Sequence, residues 1–285
     1  MSLEKIAGVK LNVHCTGSGE PTLIFVHGLA CDALDFRPQA AALSPRFRVV
    51  TFDLPGHGES ESGDGAIEAL AGIVSRLKTL YGRGHVILAG HSLGCFVILE
   101  ALRQSSAGID GLVFMDGGRV AQGDASTAVN AFKMRLDAVG VGRFTSAVYQ
   151  HMFVPGSDPQ LKESVLARAK HLEGTLAEQM MLSAVRWDAA EAASALAGVK
   201  VPVLVLQSTY LDEQYTCQSL KPGMTTPWTQ LVAQHVPGAK VHVVPGVGHF
   251  LMTEAAHLVN DHIGAFARSL AIGTPDGRGH QWSSN

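Results

Sequence analysis

Ser92, in Gly90-His91-Ser92-Leu93-Gly94, stands where a nucleophile would. The apolar run Val86–Ala89 leads in, and Phe96–Arg103 leads out with helical periodicity. Strand, sharp turn and helix with a serine at the apex form the nucleophile elbow of G-x-S-x-G, in which near-absent side chains at Gly90 and Gly94 let strand and helix close up. A neutral hydroxyl is a poor nucleophile near pH 7 and needs a base. His249, in Pro245-Gly246-Val247-Gly248-His249-Phe250, follows the last strand-like run on a glycine-rich loop that can swing an imidazole over the edge carrying Ser92. The imidazole in turn needs a carboxylate to fix its tautomer and stabilise its cation. Asp116, after Leu112–Met115, and Asp212, after Val203–Leu206, both qualify. Charge developing on a substrate carbonyl calls for backbone donors, expected at Leu93 N–H and Leu29 N–H in His27-Gly28-Leu29-Ala30. His91, Cys31, Phe36 and Trp187 are candidate substrate contacts.

These groups converge only if the elements between them form one sheet. Strand-like runs recur at Val9–Cys15, Thr22–Val26, Arg48–Phe52, Val86–Ala89, Leu112–Met115, Val203–Leu206 and Lys240–Val244. Helical periodicity lies between most of them, as at Ala66–Leu80, Phe96–Arg103 and Ala255–Leu270. Several runs are continuously apolar, as required when helices cover both faces of a mostly parallel sheet. The pattern predicts a doubly wound α/β fold. Gly17-Ser18-Gly19 is expected to be a hairpin turn.

Between Gly118 and Val199 no strand is apparent, only helical stretches at Ser126–Val139, Leu161–Leu172 and Leu176–Trp187. A connection of roughly eighty residues is far beyond the usual handful and predicts a helical insertion. Its Phe132, Met134, Phe144, Met152, Phe153, Met180, Met181 and Trp187 can pack helix on helix or roof an apolar pocket. The expected organisation is a core from 1–118, the insertion at 119–199, the rest of the core at 200–272 and a loose polar tail at 273–285.

Composition narrows the partners. Hydrophobic residues make up 46% and charged residues 16% of the 285 positions, which suits a large buried core. The net charge of −3 offers no basic footprint for nucleic acid. No apolar stretch approaches the ~20 residues of a membrane span. Met1–Leu11 has no signal-peptide h-region, and the four scattered cysteines fit a reduced, cytoplasmic protein. With no P-loop, no dinucleotide fingerprint after a strand, no H-E-x-x-H and no clustered Cys/His, no cofactor or metal is implied.

The order His27-Gly28, then Asp53-Leu54-Pro55-Gly56-His57-Gly58-Glu59-Ser60, then Gly90–Gly94, then Gly248-His249-Phe250 resembles the α/β-hydrolase superfamily from about Lys10 to Leu270. The resemblance implies an eight-stranded sheet, a helical cap inserted after the sixth strand, and catalysis in the order serine, acid, histidine. Asp53 and His57 match a structural turn of that family and stay outside the catalytic set. The usual acid position after the seventh strand falls on Leu211, with Asp212 one residue late and Ser208 replacing the customary glycine. Relatives that carry the acid after the sixth strand, including haloalkane dehalogenases and cofactor-free ring-cleaving dioxygenases, place it where Asp116 stands. Asp116 is preferred, with Asp212 as the alternative.

Serine, histidine and oxyanion donors together predict acyl transfer to water on a small carboxylic ester, thioester or lactone with an apolar portion. The alternatives on this fold are a cofactor-free dioxygenase of a heteroaromatic ring, a C–C bond hydrolase, and a non-catalytic small-molecule receptor. Leu29-Ala30-Cys31 argues against the dioxygenase branch, which has a tryptophan and a histidine there. Serine at the elbow argues against the dehalogenases, whose nucleophile is aspartate.

Overall fold

A computed structural model describes residues 2–172, 174–212 and 216–272. At one edge of the sheet, β1 (Ser2–Ile6) and β2 (Val9–Thr16) form an antiparallel pair. The chain then lays down β3 (Thr22–Val26), α1 (Arg37–Leu43), β4 (Arg48–Phe52), α2 (Ile67–Tyr81), β5 (Val86–His91), α3 (Leu93–Gln104) and β6 (Gly111–Met115). Five helices follow without a strand: α4 (Ala125–Val139), α5 (Val141–Gln150), α6 (Pro159–His171), α7 (Gly174–Ala190) and α8 (Ala192–Ala197). The chain returns as β7 (Val203–Gln207), the short hairpin β8 (Thr209–Leu211) and β9 (Cys217–Ser219), α9 (Pro227–His235), β10 (Lys240–Val243), α10 (Leu251–Glu254) and α11 (Ala256–Ile272).

Eight strands make the main sheet in the order β1-β2-β4-β3-β5-β6-β7-β10, and from β4 onward neighbours run parallel. All seven strand-like runs of the sequence are strands, within two residues at each end. Every residue of β3, β5, β6 and β7 is buried because helices cover both faces. The α2–α3 layer packs Val74, Leu77, Val97 and Leu99 on one side. On the other, the α1–α11 layer packs Leu43, Val259 and Ile263, with Phe36 just ahead of α1. Each such side chain contributes about 1.5–3 kcal/mol relative to exposure.

One expectation about the fold fails. Gly17–Gly19 is not a hairpin turn, because β2 pairs with β4 and β3 lies beyond it. The glycines are needed for close approach: a Cβ on Gly19 would come within 2.0 Å of the Arg46 carbonyl oxygen. Residues 273–285, expected to form a loose tail, lie outside the described residues. Within the insertion, α8 packs beside α3 and α9, against the sheet's own helical layer.

Candidate active site

The elbow follows from β5 running straight into α3. Ser92 N–H still donates to Met115 O at 3.0 Å, continuing the β5–β6 ladder, and the next residue opens the helix. Ser92 has φ 53° and ψ −119°, an unfavourable conformation for any side chain but glycine. The turn closes only because its flanks are bare. A Cβ on Gly90 would meet the Gly94 carbonyl oxygen at 2.3 Å, and one on Gly94 would meet the Val26 carbonyl oxygen at 2.2 Å. Leu93, as the first residue of α3, has no intrahelical partner for its N–H.

Asp116 closes β6 and also adopts a left-handed backbone, φ 46°. Its N–H donates to Leu206 O at 2.8 Å, and its carboxylate is almost wholly buried. His249 Nδ1 lies 2.7 Å from Asp116 Oδ2. Thr209 Oγ1 donates to the same oxygen at 2.5 Å. The other oxygen, Oδ1, accepts from Ser208 N–H and Thr209 N–H at 2.8 Å each and from Gln207 Nε2 at 3.0 Å. Donors on both oxygens hold the carboxylate in a fixed orientation, with one oxygen aimed at the imidazole.

Asp212 is elsewhere. Its Oδ1 accepts from Thr216 N–H at 2.8 Å and its Oδ2 from Gln218 Nε2 at 3.0 Å, so it braces the β8–β9 hairpin.

His249 is held by its backbone as well, its N–H donating to Met152 O at 3.0 Å. His91 lies beneath it, ring centroids 4.6 Å apart, and Nε2–H donates to the His249 carbonyl at 2.9 Å. Burial, with the neighbouring His249 second, pushes the His91 imidazole down to about 3. A neutral ring there leaves an imidazolium at His249 without a competing cation.

Ser92, His249 and Asp116 all border one cavity of about 200 Å³. Leu29 and Leu93 stand on its wall beside Ser92. The rest is mostly apolar, with Phe96, Phe132, Phe144, Val148 and Met181 among the lining residues. Among the described residues, the lining contains one arginine or lysine, Arg119, whose Nε lies 2.6 Å from Asp188 Oδ1.

The four expected substrate contacts are not among the cavity's lining residues. Phe36 is fully buried against Phe25, with centroids 5.0 Å apart, and Cys31 is sealed in the same cluster. Trp187 packs on Phe96 at 5.2 Å, and its indole N–H donates to Glu100 Oε2 at 3.0 Å. His91 supports His249 from beneath. Each is apolar or aromatic enough to serve the core, and the sequence carries no signal separating that from a wall position.

Asp53 and His57 prove to be loop braces. Asp53 accepts from Ala33 N–H at 2.7 Å and Asn12 Nδ2 at 2.9 Å, and His57 Nε2 accepts from Ala30 N–H at 3.1 Å. Sequence reasoning misses Thr209 and Gln207 around Asp116 and Tyr149 beside Leu29; a polar Gln-Ser-Thr run just after a buried strand is the one signal that could have found the first two.

The model of the Alpha/beta hydrolase family matches residues 23–262, and the chain belongs to that family. A 2-(acetamidomethylene)succinate hydrolase of Mesorhizobium japonicum is 39% identical over 95 residues, which is 31% of this chain and 32% of that protein. The chain thus spans about a third of that relative's length. A 2-succinyl-6-hydroxy-2,4-cyclohexadiene-1-carboxylate synthase of Klebsiella pneumoniae is 27% identical over 81% of this chain and 88% of its own. Among solved structures, the enol-lactonase of Burkholderia xenovorans superposes with TM-score 0.69 at 24% identity, covering 92% of this chain and 98% of its own. A thermophilic esterase from Thermogutta terrifontis gives TM-score 0.72 at 22% identity, with 92% and 94% covered. These two likenesses are of fold.

Proposed function

We propose that the protein is a serine hydrolase that cleaves a small carboxylic ester, thioester or lactone through an acyl-enzyme. The observation that carries this is the 2.7 Å contact of His249 Nδ1 with Asp116 Oδ2, bordering the cavity onto which Ser92 also opens. With Nδ1–H given to the carboxylate, Nε2 is the lone-pair nitrogen and can take the Ser92 proton as Oγ attacks the carbonyl carbon. The amides of Leu29 and Leu93 receive the oxyanion. The imidazolium then returns its proton to the leaving alcohol or thiol, and a water activated by the same nitrogen releases the acid.

Cavity size and polarity support a modest apolar acyl or alcohol group. A volume of about 200 Å³ is little more than the ~150 Å³ that admits benzene in an engineered protein cavity. A dicarboxylic substrate, suggested by the name of the Mesorhizobium relative, would draw on Arg119. Asp188 already pairs with that guanidinium and is itself fixed by Val120 N–H and Ala121 N–H at 2.6 and 2.9 Å. The wall is close to neutral there, and neutral substrates are favoured.

The test is a panel of p-nitrophenyl esters. Acetate and butyrate esters should turn over with kcat/KM well above that of the hemisuccinate, and Ser92→Ala should abolish all of it. A preference for the hemisuccinate would move the substrate class, and activity retained in Ser92→Ala would remove the serine mechanism.

A further inference from the structure

The end of α5 and the residues just after it cross the site and touch both of its working loops. The Tyr149 hydroxyl donates to the carbonyl oxygen of Leu29. Three residues on, Met152 O accepts from the backbone N–H of His249 at 3.0 Å. One short piece of the helical insertion therefore holds the turn that carries one oxyanion amide and the loop that carries the base.

The contact at Leu29 falls on a vulnerable peptide. Gly28 to Cys31 forms a turn closed by Cys31 N–H donating to Gly28 O at 3.3 Å. Ala30 sits in the left-handed region at φ 54°, which an alanine adopts only when the surroundings hold it there. The Leu29–Ala30 peptide is held at both ends. Its N–H donates to His57 Nε2 at 3.1 Å from the core side, and its oxygen accepts from Tyr149 on the insertion side. A second grip lies just beyond, where Arg168 of α6 pairs with Asp35 at 2.7 Å and Asp32 at 3.2 Å.

We propose that Tyr149 is a positioning residue for the oxyanion turn: its hydroxyl fixes the Leu29–Ala30 peptide, so that the Leu29 N–H faces the reacting carbonyl only when the inserted helices are seated. The proposal rests on Leu29 as an oxyanion donor. The phenol stays protonated because burial pushes its pKa well up. Its one hydrogen is committed to Leu29 O, so it does not act as a proton donor to substrate.

Tyr149→Phe keeps the ring and removes the tether. Per titrated site, kcat for p-nitrophenyl butyrate should fall about 10- to 100-fold with KM within about twofold, a smaller loss than deleting a donor outright. Phosphonylation of Ser92 by an alkyl fluorophosphonate should slow in parallel, because its P=O oxygen needs the same amides. Adding Ala30→Gly should recover part of both rates, since glycine adopts this φ without help. Rates within twofold of wild type in Tyr149→Phe, or a rise in KM alone, would overturn the proposal. So would a loss that Ala30→Gly leaves untouched. Failure of the wild-type enzyme to be phosphonylated at Ser92 would instead strike the underlying hydrolase reading, and the proposal with it.

Discussion

His249 and Asp116 stand 133 residues apart in the chain and 2.7 Å apart in space, Nδ1 to Oδ2. Parallel neighbours in the sheet make this possible. Asp116 leaves β6 at the same edge where β7 delivers Ser208 and Thr209 and where the loop after β10 delivers His249. Gly248 N–H donates to Glu254 Oε2 at 3.1 Å and Gly248 O accepts from Ser208 Oγ at 2.8 Å, which fixes that loop on both sides.

Asp116→Asn should cut kcat on the order of 10⁴-fold, because the amide offers a hydrogen where the imidazole must donate and so favours the wrong tautomer. Asp212→Asn should leave kcat within about threefold, since that carboxylate accepts from Thr216 N–H and Gln218 Nε2 of the hairpin and not from His249. Steady-state kinetics of the two variants side by side decides this, and the reverse ranking would transfer the acid role.

Thr209→Val removes the hydroxyl that donates to Asp116 Oδ2 while leaving the two backbone amides on Oδ1. A lost hydrogen bond to a charged group is worth about 1.5–3 kcal/mol, so kcat should drop roughly 10- to 100-fold. KM should hardly move, because the valine keeps the volume. Unchanged kcat would show that Asp116 is oriented without the threonine.

Arg168→Met should destabilise the fold. Asp32 and Asp35 are buried, and burial raises both carboxyl pKa values despite the opposing pull of Arg168. Removing the cation leaves two adjacent buried carboxylates without their partner. Arg168 is about a fifth exposed, so the cost belongs near the lower end of the 3–5 kcal/mol range, about 3 kcal/mol. A loss of roughly 5–10 °C in Tm is expected by calorimetry, and Asp35→Asn should restore part of it. A Tm within about 1 °C of wild type would contradict this.

Three buried histidines make the fold acid-sensitive. Burial lowers His27 well below 6.5, His57 to about 4 and His91 to about 3. Above pH 6.5 both folded and unfolded states hold these rings neutral, and they contribute no pH dependence. As pH falls below 6.5 the unfolded chain takes up protons that the native state refuses. Stability therefore drops by about 1.4 kcal/mol per pH unit for each such ring, until the folded values near 4 and 3 are reached. Urea midpoints should be flat from pH 7 to 8 and fall steeply from pH 6 to 4.5. A midpoint at pH 5 equal to that at pH 7 would refute the neutral-burial account.

What the sequence disclosed follows from where the signal is strong. β3, β5, β6 and β7 are buried on every residue and therefore announce themselves as apolar runs. β1 reads Ser-Leu-Glu-Lys-Ile, an edge strand whose exposed Leu3 and charged neighbours break any run, and it passed unnoticed. Gly90 and Gly94 declared the elbow because no other residue fits the approach there. Spacing does not separate Asp116 from Asp212, since both follow strands at one sheet edge; the contact with His249 Nδ1 does, Asp116 making it while Asp212 accepts from Thr216 and Gln218. Phe36, Cys31 and Trp187 show the opposite failure, since an apolar side chain near a site has no mark telling wall from core. α5, with Tyr149 at its end, is amphipathic, burying Phe144, Thr145 and Tyr149, but it is short and weakly hydrophobic on average, so Val141–Gln150 does not stand out as a separate element in the sequence, and the contact to Leu29 stays hidden with it.

The account stands most directly on the chemical fate of one oxygen. Rapid quenching of the enzyme with p-nitrophenyl butyrate, followed by peptide mass spectrometry, should find the butyryl group on Ser92, formed in a burst of one equivalent per site and absent from Ser92→Ala. A butyryl group on another residue, or a burst that survives in Ser92→Ala, would contradict it.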